Sequence, residues 1–217
     1  MPTPELIEFN DISIDNIADA LNQTGYIILP NALSQDLLNS LQDRGQNLDP
    51  SQWRRAGIGR QQNYQQNQAI RSDRICWIST DDPTEALFLS AMESLRLGLN
   101  RRLYLGLFDF ECHFSTYSKN AYYRKHIDAL KGESNRILSS VLYLNDDWQT
   151  TDGGELLLYS EQDGDPIESV RPMLGTLVLF LSEMFPHEVL KSQRQRLSLT
   201  GWFRVNANNK DNRKNRE

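Results

Sequence analysis

At about Phe108 the spacing of apolar residues changes from a period of 3.6 to a period of 2, and that break limits the class of fold open to the chain. Upstream of it, helical spacing dominates. Ile14, Ile17, Ala18 and Leu21 follow a Ser13-Ile14-Asp15-Asn16 opening and stop at Thr24-Gly25, and Ser34 followed by Asp36 starts a second helix with Leu37, Leu38 and Leu41 on one face. A third helix runs from about Pro83 to Leu103, where Phe88, Met92, Leu95, Leu99 and Leu103 form an apolar stripe widened by Leu87 and Ala91. Gly98 inside it weakens the last turn by about 1 kcal/mol relative to alanine. Between the first two helices, Tyr26 to Leu29 reads as a short buried strand closed by Pro30-Asn31.

Downstream, β-rich runs follow one another with turn chemistry between them: Phe108 to Tyr117, Tyr122 to Asp128, Ile137 to Leu144, Gly154 to Ser160, Thr176 to Leu181 and Arg196 to Arg204. Asn145-Asp146-Asp147, Thr151-Asp152-Gly153-Gly154 and Gln162-Asp163-Gly164-Asp165-Pro166 read as loops. Helices first and short strands afterwards predict an α+β chain, with helical support over about 13–103 and a sandwich or small-barrel β core over about 108–204.

A chain of 217 residues suits one domain, here 1–205, and buries enough surface to fold without a structural metal, so a metal in it would be functional. Residues 206–217 are a polar tail of mixed charge. With 23 basic and 29 acidic side chains the formal charge is −6, which argues against a general nucleic-acid binder. No stretch is long and apolar enough to span a bilayer, and Met1 to Asn10 has neither the basic nor the apolar region of a secretion signal, so a cytoplasmic protein is expected. Cys76 and Cys112 lack metal-ligand spacing and read as buried thiols. Residues 56–73 are rich in Gln and Asn and long for a connection; a mobile lid and a passive surface loop are both compatible with them.

The chain holds only three histidines, His113, His126 and His187. On a strand, His126 and Asp128 would project to one side, two residues apart, while Ile127 faces the other. His187 from a distant strand would complete two nitrogens and one carboxylate, the set associated with non-haem Fe(II) oxygenases. His113 reads as a core residue. Nine residues beyond His187, Arg196 opens an alternation in which Arg196, Ser198, Thr200 and Trp202 share one face and Leu197, Leu199 and Phe203 the other. An inward guanidinium suits a bidentate carboxylate ligand, although an Asp or Glu at the barrel rim would also serve, and Arg194, of the same parity, lies nearer the loop. Tyr122 and Tyr123 read as strand aromatics, Tyr123 alternatively as a group at a substrate entrance, and Trp148 as packing.

The order His126-x-Asp128, His187, Arg196 resembles the Fe(II)- and 2-oxoglutarate-dependent dioxygenases, in particular their prolyl 4-hydroxylase branch. Tyr122 to Asp128, Leu142 to Trp148, Gly153 to Leu156, Pro186 to Val189 and Arg196 to Phe203 are similar to blocks of the oxygen-sensing prolyl hydroxylases of animals and their bacterial relatives, as is Ile70 to Ile78 upstream. The likeness runs from about Gly25 to Arg204. It implies a double-stranded β-helix, or jelly roll, with His126, Asp128 and His187 holding Fe(II). It further implies 2-oxoglutarate as cosubstrate, its distal carboxylate on Arg196 and hydrogen bonds from Tyr143 and Thr200, with Tyr117, Leu156 and Trp202 lining the same pocket. Dioxygen is the oxidant, and ascorbate a candidate reductant.

The activity so implied is hydroxylation of a prolyl residue in a protein or peptide, a translation factor being one candidate, with succinate and carbon dioxide as coproducts. Hydroxylation of a free amino acid or small metabolite is the enzymatic alternative, and a metal-dependent sensing module without catalysis the alternative of another class. A nucleic-acid demethylase of the same fold fits less well, because Trp202 stands where that group carries a second arginine.

Overall fold

Asn10 caps the first helix three residues ahead of Ser13, where the predicted opening begins, because its side-chain oxygen accepts the Ser13 N–H at 2.8 Å. Residues 9–57, 70–129, 134–162 and 164–206 are described by the computed structural model. Helix α1 spans Asp11–Gln23, α2 Gln35–Gln46 behind the Ser34 cap, and α3 Pro83–Leu103 behind Asp82, whose carboxylate accepts from Thr84 and Glu85 N–H. Arg44 of α2 bonds Glu85 and Asp82 at 2.9 Å each, tying α2 to the start of α3. Gly98 does not end the last helix early. It lies where α1 crosses α3, and a Cβ there would sit 2.6 Å from Ile14 Cδ1.

The strands are β1 (Tyr26–Leu29), β2 (Arg54–Arg55), β3 (Arg74–Trp77), β4 (Leu107–Tyr117), β5 (Tyr123–His126), β6 (Arg136–Tyr143), β7 (Leu156–Tyr159), β8 (Pro166–Val170), β9 (Leu177–Leu181), β10 (His187–Val189) and β11 (Arg196–Val205). They form two antiparallel sheets, one of seven strands in the order β1-β9-β6-β11-β4-β3-β2 and one of four in the order β5-β10-β7-β8. This is a jelly-roll sandwich backed by helices. Alternation along β11 sorts its residues between two cores: Leu197, Leu199 and Phe203 pack with Phe88, Met92, Leu95 and Leu99 on the helical side. On the other side Tyr117, Val141, Tyr143, Val178 and Phe180 of the large sheet meet Leu156, Leu158, Val170 and Val189 of the small one.

Three features depart from the sequence expectations. The large sheet recruits β1, β2 and β3 from the supposedly helical half, and β1 is a half-buried edge strand rather than a buried one. Part of the segment expected to be a loop opens β8, an exposed edge strand whose first residue is Pro166, where no ladder N–H is needed. Strand β5 ends at His126, so Asp128 lies in a bend beyond it and strand alternation does not place it. The candidate loop 56–73 falls mostly outside the described residues, as does the tail after Asn206.

Replacing Gly98 by alanine should destabilise the protein by about 1–3 kcal/mol despite alanine's better helix propensity, because the methyl meets Ile14 in a filled helix crossing. Urea unfolding of the variant against the parent measures this, and a stabilised variant would contradict the close packing.

Candidate active site

Antiparallel pairing of β5 with β10 puts His187 directly opposite His126, with ring centroids 4.1 Å apart. Each ring is oriented by its own chain: His126 Nδ1 lies 2.8 Å from the Arg124 carbonyl and His187 Nδ1 3.0 Å from that of Phe185. A carbonyl only accepts, so each Nδ1 carries the proton and each Nε2 presents a lone pair. Both Nε2 atoms face Asp128, His126 at 3.7 Å from Oδ1 and His187 at 3.6 Å from Oδ2. One ligand atom from each residue falls within 4.8 Å of the others, the separation a single metal ion would bridge.

The electrostatics suit a cation. Burial, reinforced by His126, lowers the His187 pKa to about 4, so the ring is neutral near pH 7. Burial works against ionisation of Asp128, but the pull of His187 and His126 holds its carboxyl well below the usual range. Tyr123 stacks on His126 at 3.6 Å, and Arg71 caps the other face of Tyr123 at 4.4 Å. Arg71 is itself fixed by both oxygens of Asp73, at 2.8 and 2.6 Å. Tyr123 therefore packs against the metal-ligand set.

Beyond the cluster, Arg196 is 1% exposed at the start of β11, opposite Tyr117. Its Nε donates to the Gly154 carbonyl at 3.0 Å, and its Cζ lies 4.9 Å from the rings of both Tyr117 and Tyr143. Among the described residues no carboxylate stands within ion-pair range of it, so the rim partner entertained from the sequence is absent. Arg194, by contrast, has its side chain 46% exposed and pairs with Asp152. The Tyr143 hydroxyl is buried without a hydrogen-bond partner among the described residues, and burial, against the pull of Arg196, pushes its pKa up to about 12. A sealed cation and an unsatisfied phenol side by side fit an elongated ligand that ends in a carboxylate.

Local sequence explains this geometry. Gly154, at φ +72°, lets its carbonyl meet Arg196, and a Cβ on it would lie 3.3 Å from Arg196 Cδ. Asn145, read from sequence as loop chemistry, is buried; its side chain accepts the Leu197 N–H at 2.6 Å and donates to the Leu197 and Pro172 carbonyls, anchoring the strand that carries Arg196. Leu156 is buried in the inter-sheet core. Thr200 lies farther along β11, with Oγ1 3.5 Å from Ser115 Oγ. Trp202 lies at the metal end rather than beside Arg196, and its Nε1 donates to Asp128 at 2.9 Å. Ser139, which the sequence reading missed, donates to the same oxygen at 2.6 Å. His113 is buried between Trp77 and Trp202, its Nδ1 3.0 Å from Ser115 Oγ and 3.2 Å from the Phe114 carbonyl, and is not part of the ligand cluster.

Comparison with known proteins agrees with this arrangement. The model of the 2OG-Fe(II) oxygenase superfamily matches residues 112–204. A solved prolyl-4-hydroxylase of Pseudomonas putida is 39% identical and superposes with a TM-score of 0.80 over 89% of this chain and 100% of that one. The chain belongs to the 2-oxoglutarate/Fe(II) oxygenases, in their prolyl hydroxylase branch. A prolyl hydroxylase of Trichoplax adhaerens, solved with a peptide fragment of a hypoxia-inducible factor, is 27% identical, with a TM-score of 0.79 over 89% of this chain and 90% of that one. A human prolyl hydroxylase is 26% identical over 91% of this chain and 85% of its own length. The hypoxia-inducible factor prolyl hydroxylase of Caenorhabditis elegans is 27% identical over 87% of this chain, which spans 28% of that protein. As a member of this family the enzyme uses Fe(II), 2-oxoglutarate and dioxygen.

Two outcomes follow for this oxygenase. Tyr143→Phe removes a buried hydroxyl that has no partner without ligand, so the metal- and ligand-free melting temperature should hold or rise while the Kd for 2-oxoglutarate rises about tenfold. Calorimetry of both states checks this, and unchanged 2-oxoglutarate binding would remove Tyr143 from the site. Burial, with Arg71 adding to it, lowers the His113 pKa to about 4 against 6.5 in an open chain. The unfolded chain therefore takes up the proton first, and the stability owed to neutral His113 is lost as pH falls from about 6.5 to 4. The midpoint of urea unfolding should fall across that window, and less so in His113→Met; equal slopes would contradict a neutral buried ring.

Proposed function

We propose that the enzyme hydroxylates a prolyl residue within a protein or peptide, consuming 2-oxoglutarate and dioxygen and releasing succinate and carbon dioxide. The observation that carries the reading is the pairing of a His126, Asp128 and His187 cluster with a buried Arg196 that has no carboxylate partner among the described residues. In this reading the three side chains hold Fe(II), and Arg196 and Tyr143 receive the distal carboxylate of 2-oxoglutarate. The iron, when bound, supplies the activation of dioxygen. Three protein ligands leave room for a bidentate keto acid and one further molecule, and Arg196 fixes which end of the keto acid reaches the metal.

A prolyl acceptor is supported by the 39% identity to the Pseudomonas enzyme over its whole length. A macromolecular one is supported by the surface beside the cluster. Trp77, 50% exposed on β3, touches the buried His113, whose ring meets the buried Trp202, so a run of aromatic contacts links the exposed Trp77 to the residue that bonds Asp128. The Ile70 carbonyl accepts the Arg124 N–H of β5 at 2.9 Å. A lid role for residues 56–73 over a bound peptide belongs to this reading, and Ile70, within that stretch, is bonded to β5 two residues before His126. A cytoplasmic setting belongs to the same reading, in keeping with two buried free thiols, Cys76 and Cys112.

His126→Ala and Asp128→Ala should each abolish 2-oxoglutarate turnover in iron-loaded enzyme, while Arg196→Lys should chiefly raise the KM for 2-oxoglutarate. Full activity in either ligand variant would sink the metal assignment. Peptide mass spectrometry of a deletion strain against its parent should show a lost oxygen-atom increment on a prolyl peptide, and the peptide would show whether a translation factor is the acceptor. Changes confined to small metabolites would replace the prolyl reading with the metabolite one.

A further inference from the structure

One oxygen of the carboxylate ligand already accepts two hydrogen bonds. Asp128 lies two residues past the last ladder position of β5, in a bend, so backbone pairing does not orient it. Its Oδ2 accepts instead from Ser139 Oγ at 2.6 Å and from Trp202 Nε1 at 2.9 Å. Ser139 on β6 and Trp202 on β11 are register partners in the seven-stranded sheet, whereas Asp128 follows a strand of the four-stranded one. The contact therefore spans the sandwich.

Proton bookkeeping fixes the direction of the chain behind it. Ser139 has one hydroxyl proton and uses it on Asp128, so the 2.9 Å contact between Ser139 Oγ and Ser182 Oγ has Ser182 as donor. Both serines are fully buried. On the indole side, the Arg136 guanidinium lies 3.4 Å over the Trp202 ring and is held by Glu111 at 3.0 Å. A cation over the ring draws charge from the indole and makes its N–H a better donor.

We propose that Trp202 and Ser139, backed by Ser182, are positioning residues that hold Asp128 as a ligand through Oδ1 alone. This rests on the metal-site reading above and extends it. Oδ2, which also lies 3.6 Å from His187 Nε2, already accepts from two donors, so Oδ1, 3.7 Å from His126 Nε2, is the oxygen offered to the metal. The count of open positions depends on this. A carboxylate bound through both oxygens would take a fourth position of six and leave two, one short of a bidentate keto acid plus dioxygen. The clamp thereby preserves the third position, and it does so from strands that contribute no ligand. Polar partners behind a metal ligand of this kind are worth about 10- to 100-fold in metal affinity.

The test is calorimetric titration of metal-free protein with Mn(II), then of the Mn(II) form with 2-oxoglutarate, with no turnover in either step. Trp202→Phe keeps an aromatic ring and removes the N–H; Ser139→Ala removes the hydroxyl; Ser139→Thr keeps it. Trp202→Phe and Ser139→Ala should each weaken Mn(II) binding about tenfold or more, and Ser139→Thr should restore it. Melting of the metal-free proteins shows whether each variant folds, and should Trp202→Phe fail to fold, the two Ser139 variants carry the comparison. Parental affinity for both Mn(II) and 2-oxoglutarate in folded Trp202→Phe and Ser139→Ala would overturn the clamp. Failure of the parent to bind Mn(II), or binding that survives Asp128→Ala, would instead overturn the metal site itself.

Discussion

A permanently charged guanidinium sealed between two β-sheets is the constraint around which the rest of the molecule is arranged. Arg196 cannot shed its charge, so its desolvation must be offset by groups built around it. The Gly154 carbonyl reaches it because a glycine occupies a left-handed position, the rings of Tyr117 and Tyr143 flank it, and Asn145 grips the strand one residue on. Among the described residues none supplies the counter-ion. The site is thereby pre-arranged for a carboxylate from outside, and the Tyr143 hydroxyl waits on the same ligand.

The second half of the site solves a different problem. Two histidines come from neighbouring strands of the small sheet and are oriented by carbonyls two residues earlier in their own chain, which needs no help from elsewhere in the fold. The carboxylate sits beyond the strand and relies on the opposite sheet. The metal-ligand set therefore joins both layers of the sandwich, and the pairing of β6 with β11 matters to a ligand that belongs to neither strand.

How much of this is legible in the sequence depends on the type of signal. The break at Phe108, the stripe of α3 and the alternation along β11 are periodic, and periodic burial is what a sandwich backed by helices requires. His126, His187 and Arg196 stand out because so few residue types do their chemistry and the chain has three histidines in all. Asp128 was placed beside His126 by an alternation that stops short of it; the bend and its hydrogen bonds bring it there. Ser139, Ser182 and Asn145 were not legible as site residues, since a serine or asparagine acquires its role only from what the register puts opposite it. Strands β2, β3 and β8 are missed because charged and exposed residues blur their alternation, and β10 because three residues carry no period.

The hydrogen bond from Ala56 N–H to the Asp73 carbonyl, with Arg71 bridged to Tyr123, pins both ends of segment 58–69 within the core. Closing a chain segment between fixed ends costs only about 0.6 kcal/mol more for each doubling of its length. Insertions, deletions and exchanges between those anchors therefore weigh little on folding, while every version emerges at the same place beside the metal ligands. The chemical centre and the connection between these anchors are thus separate parts of the chain, so a change of sequence between the anchors leaves the metal ligands and their hydrogen bonds in place.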